Sequence, residues 1–342
     1  MPGGRRARRL ALATVTLLAL VASALTTATA PAAADSTLSS IPVAELDLAP
    51  GTEACFPGHH PGETQVLTCE YGHQGPRVLA IGDSHLRAVS PALRRLAEEG
   101  KMRVTLIIRS RCGWSSRVIE NDTRWIRDDC QTWRRNVAKY IREQDDVRAI
   151  VTHHRASTMA GRTSQRGPDT VKAWRVALER RIPVIALSGA ANWPFKDPMP
   201  TQCLRENRAP SQWGNCSASV RKVMKFDWTV PAVVLARRAY GPTAAFRIDL
   251  RDVHCPKRRC RVVTPSGQIM YRDHQHLTAT YSRSLAPLME KRLRETGVVF
   301  PSAKVSRSKR VATAVARCRA LHPLPAPMVC TSRHGPRPGV SP

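Results

Sequence analysis

Residues 77–81, Arg-Val-Leu-Ala-Ile, form a solid apolar run, and the pattern then changes to apolar positions three and four apart over 88–99, stopping at Gly100. This alternation recurs down the chain. Strands are predicted at 103–108, 147–152, 182–187 and 246–250. Between them, 122–143 places Trp125, Trp133, Val137, Tyr140 and Ile141 at helical intervals. A helix over 169–180 opens at Pro168-Asp169, another lies within 220–240, and 278–295 closes the series. The strands are apolar throughout rather than at every second position, which marks a parallel sheet covered on both faces. A polar, proline-rich excursion at 190–215 interrupts the alternation.

The ends of the chain read differently. Arg5-Arg6-Ala7-Arg8-Arg9 precedes an apolar run over 10–25 and small residues at Ala28-Thr29-Ala30 and Ala32-Ala33-Ala34. A basic stretch, a short apolar stretch and an Ala-x-Ala site describe an export signal, with cleavage after Ala34 and Ala30 as the second choice. The competing reading is an uncleaved anchor, although the run falls just short of a spanning helix. The expected organisation is a signal at 1–34, an irregular strap at 35–75, one α/β domain at 76–300 and a basic, proline-rich tail at 301–342. With 342 residues, 42% of them hydrophobic, the chain is large enough to bury a core of that size.

Ten cysteines fit an oxidising, extracytoplasmic compartment. They fall into five local couples: Cys55/Cys69, Cys112/Cys130, Cys203/Cys216, Cys255/Cys260 and Cys318/Cys330. Nearest-neighbour pairing is the expectation, since scattered couples without a Cys-x-x-Cys do not form a zinc site. The 54 Lys and Arg against 26 Asp and Glu leave a formal charge of +28. Such an excess favours polyanionic neighbours, which outside the cytoplasm means acidic wall polymers or lipid headgroups. Aromatic residues make up only 5%, so no stacking platform accompanies the charge and nucleic acid is not expected.

In an open parallel sheet, ligands bind beyond the carboxyl ends of the strands. Ser84 lies there after the first strand, His153 and His154 after the third, and Ser188-Gly189 after the fourth, while Asp273 and His276 precede the last helix. A serine hydroxyl becomes a nucleophile when an imidazole takes its proton and a carboxylate holds that imidazole in the right tautomer. Asp273 and His276, three apart, are read as one turn at the mouth of a helix, able to supply both groups to Ser84. Each signal alone is also a helix cap; their shared rim joins them into a candidate site. His274 is the competing base. His153 and His154 read as loop residues, substrate contacts or, least of all, metal ligands, and Arg155 as a partner for a substrate anion or a surface carboxylate. Asn192-Trp193 reads as a sugar platform or as a packed pair. Asp83 is expected to tie down the serine turn.

Gly82-Asp83-Ser84-His85 and Asp273-x-x-His276-Leu277-Thr278 resemble the first and last blocks of the SGNH hydrolase superfamily. More narrowly, 76–295 resembles the extracytoplasmic SGNH domain fused to bacterial acyltransferase-3 O-acyltransferases. Ser110-Arg111-Cys112-Gly113, the stretch from Pro198 to Leu204, and the Cys255 to Cys260 segment followed by Tyr271-Arg272 support this. The resemblance implies a three-layer α/β/α flavodoxin-like fold with a central parallel sheet of about five strands. It implies Ser84 as nucleophile, His276 as base and Asp273 as its orienting partner. The N–H of Ser84 and the Gly113 turn would form the oxyanion hole; His154, Arg155 and Asn192 are candidate substrate contacts from their place after the strands, not from the resemblance. The superfamily's Gly-x-Asn-Asp block is absent; Thr152-His153-His154-Arg155 stands in its place. The implied function is a secreted esterase or O-acyltransferase of envelope glycans, requiring no cofactor or metal. Its partners would be a glycan or acidic wall polymer and a separate membrane acyl donor. The alternative is an inactive SGNH scaffold that binds acidic wall polymers; oligomeric state is not legible.

Overall fold

The computed structural model describes residues 41–300, apart from 57–59, 118–122, 156–162, 190, 195–197, 208 and 225–226. The export segment, the tail and the Cys318/Cys330 couple lie outside the described residues. Helix α1 (Ile41–Leu46), a 3-10 turn at Glu53–Cys55 and strand β1 (Cys69–Tyr71) make up the strap. The alternating units follow: β2 (Arg77–Gly82), α2 (Ser84–Glu98), β3 (Arg103–Ile108), α3 (Arg124–Arg142), β4 (Val147–His153), α4 (Thr163–Leu178) and β5 (Val184–Ser188). After these come α5 (Pro200–Glu206), β6 (Ala218–Ser219), α6 (Thr229–Tyr240), β7 (Ala245–Asp249), β8 (Arg259–Cys260), α7 (Ala279–Ser284) and α8 (Ala286–Thr296).

The main sheet runs β1-β3-β2-β4-β5-β7, and every pairing except that of β1 is parallel. The five parallel strands are those predicted from the apolar runs, in the flavodoxin-like order that reverses direction between β2 and β4. The sixth strand comes from the strap, where a short run with one apolar face gave no alternating signal. Its antiparallel pairing covers the edge of β3. Successive residues of each strand serve opposite faces. Val78, Ala80, Val104, Leu106 and Val151 pack with α2, α7 and α8, whereas Leu79, Ile81, Ile107 and Ile150 pack with α3, α4 and α6.

Other differences have local causes. Helix α2 starts at Ser84 rather than 88, because Asp83 caps it with a side-chain bond to the His85 N–H. The expected closing helix breaks at Leu285, just ahead of Pro287. Helix α4 begins at Thr163, ahead of Pro168, so this proline lies within the helix instead of opening it. The excursion holds α5 and a 3-10 segment at Pro210–Cys216, tied by Cys203–Cys216. Cys55–Cys69, Cys112–Cys130 and Cys255–Cys260 are also bonded, as nearest-neighbour pairing predicts. No described helix is long and apolar enough to cross a membrane.

The reversal between β2 and β4 is very tight. A Cβ on Gly82 would lie 2.0 Å from the His153 carbonyl oxygen and 2.9 Å from Leu86 Cβ. Neither backbone can move without disturbing the centre of the sheet. Gly82→Ala should therefore destabilise by roughly 3 kcal/mol or more, or prevent soluble expression. Gly214→Ala, where a Cβ meets nothing within 4 Å, should stay within about 0.5 kcal/mol of wild type. Urea denaturation of both variants checks this, and equal stabilities would refute the packing argument.

Candidate active site

Ser84 is the first residue of α2, directly beyond the carboxyl end of β2. Its N–H precedes the first amide that can find an intrahelical acceptor, so it belongs to the donor-rich end of the helix. Asp83 is 1% exposed and fixes this junction with both carboxylate oxygens. Oδ1 accepts from the His85 N–H at 2.9 Å and Oδ2 from the Arg155 N–H at 3.0 Å. One side chain thus joins the start of α2 to the segment leaving β4. Burial pushes its pKa up to about 6, and the two N–H donors only partly offset that. Its role is the tie expected from the sequence.

The residues 192 positions later arrive at the same place. His276 Nε2 lies 2.8 Å from Ser84 Oγ. His276 Nδ1 lies 2.7 Å from Asp273 Oδ2 and 3.0 Å from Oδ1. An ionised carboxylate only accepts, so Nδ1 carries the proton, Nε2 is the acceptor, and the Ser84 hydroxyl donates to it. Burial works against ionisation of Asp273, but the His276 hydrogen bond and charge, the Gln275 N–H and the nearby Arg272 bring its pKa down to about 2. It is anionic throughout the neutral range.

The spacing of Asp273 and His276 has a different origin from the expected helical turn. These residues lie in a loop closed by the Tyr271–Leu277 bridge and the Arg272 N–H bonded to the His276 carbonyl at 3.1 Å. Asp273 Oδ1 also accepts the N–H groups of Gln275 and His276, each at 2.8 Å. The carboxylate therefore shapes the loop that carries its own histidine. The helix begins only at Ala279, capped by Thr278. His274, the competing base, offers its carbonyl to the Trp193 N–H at 2.7 Å, and the imidazole that meets Ser84 is that of His276.

The remaining candidates are placed less uniformly. Gly113 packs against His154: a Cβ on it would come within 2.8 Å of the imidazole. His154 is 1% exposed and stacks on Trp228, ring centroids 3.9 Å apart, so it forms a floor under the Gly113 turn. Arg155 is half-buried, and its backbone N–H is held by Asp83. Asn192 is half-buried with its N–H on the Val223 carbonyl, and Trp193 packs edge-on against Tyr271. Sequence reasoning missed His85, whose ring lies 5.1 Å from that of His276 and 5.9 Å from that of His153. It also missed Arg134, whose Nε donates to the Gly113 carbonyl at 3.0 Å. Arg134 sits on α3 four residues after Cys130, which is disulfide-bonded to Cys112, so two adjacent points of that helix grip the turn. The helical spacing of 130 and 134 was the available signal.

A family model described as the SGNH domain (fused to AT3 domains) matches residues 54–291. The chain belongs to that family. Among solved structures, the periplasmic domain of a lipopolysaccharide acetyltransferase from Salmonella ser. Paratyphi A is similar in fold. Its TM-score is 0.50 at 11% identity, with 78% of this chain and 98% of that chain covered. A carbohydrate acetylesterase family member from Sinorhizobium meliloti has a TM-score of 0.35 at 13% identity, with coverage of 64% and 99%. No curated protein matches the chain.

Burial holds His85 and His154 well below the usual imidazole range, and His153 at about 4 despite its bond to the Leu187 carbonyl. A lowered histidine pKa gives stability that is present above the unfolded value of 6.5 and lost as pH falls towards 4. Asp83, raised to about 6, works in the opposite direction as a single group. Unfolding free energy should thus fall from pH 7 to pH 4.5, with a shallower decline in His153→Asn. A stability that is flat or rising on acidification would contradict the neutral histidine cluster.

Proposed function

We propose that this protein is an extracytoplasmic serine esterase or O-acyltransferase acting on O-acyl groups of cell-envelope carbohydrate. The observation that carries the reading is the 2.8 Å contact between Ser84 Oγ and His276 Nε2, with Asp273 on the other ring nitrogen. In this mechanism Nε2 takes the hydroxyl proton as Ser84 Oγ attacks the ester carbonyl, and Asp273 stabilises the imidazolium. The Ser84 N–H and the Gly113 turn stabilise the oxyanion. Collapse returns the proton to the departing alcohol and leaves an acyl group on Ser84. Water or a sugar hydroxyl, deprotonated in turn by His276, then releases it.

Family membership supports acyl-ester chemistry. The Salmonella relative's description as an acetyltransferase domain favours a carbohydrate acceptor and a membrane-embedded acyl donor as partner. The four disulfides among the described residues support an oxidising compartment.

A fluorophosphonate probe should label the protein, and Ser84→Ala should abolish labelling. Asp273→Asn should slow turnover of p-nitrophenyl acetate by about 10²–10⁴-fold, because the imidazole loses the partner that fixes its tautomer. Undiminished labelling of Ser84→Ala would sink the proposal.

A further inference from the structure

Helices α3 and α4 enclose a cleft of about 300 Å³, distinct from the triad, whose floor includes Trp114, Ser115 and Ser116. Arg135 and Arg142 line it from α3, Lys172 and Arg175 from α4, and Arg134 from below. Among the described residues Glu179 is the only carboxylate in the lining, and it lies 3.7 Å from Arg175. Four of these cations are exposed at the rim, so their mutual repulsion is screened by solvent, and Glu179 offsets it at Arg175.

Arg134 is the unusual member. It is 9% exposed, and among the described residues no carboxylate pairs with it. Nε donates to the Gly113 carbonyl and Nη1 to the Arg117 carbonyl at 2.5 Å, whereas Nη2 has no hydrogen-bond partner. Burying a guanidinium without an anion is costly, and leaving one fork of it unbonded adds to the cost. Two carbonyls account for its hold on the Gly113 turn. They do not account for the unbonded nitrogen or for four further cations gathered around the same cleft.

We infer that the α3–α4 cleft is an anion subsite that takes an oxyanion group of an acidic envelope glycan, phosphate or carboxylate, with Arg134 as its inner ligand. The unbonded Arg134 Nη2 offers either group a charge-assisted hydrogen bond, and the rim cations draw in a multiply charged chain. Gly113 meets His154 on one side and Arg134 on another, so an anion held here bears on the turn beside the candidate nucleophile. This deepens the reading above by naming acidic polymers as its substrate class.

The test is an NMR titration of the full chain, following the Arg134 Nε–Hε resonance against inorganic phosphate and, separately, glucuronate at constant ionic strength. Saturable shifts are expected with at least one of them, and the tighter arm identifies the oxyanion. Arg142→Gln with Lys172→Gln removes rim charge without disturbing the core and should weaken binding about fivefold. Arg238→Gln with Lys291→Gln, an equal charge loss elsewhere on the surface, should leave affinity within about twofold. Non-saturating shifts in both arms, or equal losses in the two double variants, overturn the subsite. Ser84→Ala should bind the anions as wild type does. Failed serine labelling with intact titration would therefore count against the enzyme and not against the cleft.

Discussion

The closeness of the β2 and β4 ends is the constraint on which the site depends. With no side chain on Gly82, the last residue of β2 lies against the His153 carbonyl, and the chain must leave that point into α2. Asp83 then locks the exit with one hydrogen bond to each side of the reversal. Ser84 follows at a fixed backbone position, and its hydroxyl is held by the hydrogen bond to His276 Nε2. The partner histidine needs only to be delivered, and the loop at Asp273–His276 does that through its own internal bonds. The strap contributes from a distance: Asp47 accepts the Ala279 and Thr280 N–H groups and caps the helix behind the histidine.

This division explains what could be read from the chain. Five parallel strands were legible because a strand buried on both faces is apolar at nearly every position, as β2 to β5 are, while the edge strand β7 keeps Ala245, Phe246 and Ile248 beside Arg247 and Asp249. The serine and the histidine–carboxylate couple were legible because topology puts strand ends on one rim. β1 was not, since three residues beside a cysteine carry no period. Nor was the loop geometry at Asp273, where a three-residue spacing suits a helix and an Asp-centred turn equally. Arg134 went unread for a more general reason. A basic residue on an amphipathic helix is ordinarily solvated, and the sign that this one points inward is its place one turn after Cys130.

Charge buried near the site is distributed unevenly, and that unevenness has a physical logic. Around Ser84 burial keeps the imidazoles of His85 and His153 neutral and raises the Asp83 pKa to about 6. Only Asp273 is firmly ionised, because His276 and Arg272 surround it with donors and positive charge. For the proposed serine–histidine pair, the neutral His85 ring beside His276 adds no charge against an imidazolium, and the nearby Arg272 cation is paired with Asp273. Arg134, a buried cation without a carboxylate partner among the described residues, lies behind the Gly113 turn. Burial lowers its pKa only to about 10, so it stays charged at neutral pH. From there its charge acts through the Gly113 carbonyl it holds, polarising that peptide and fixing its direction.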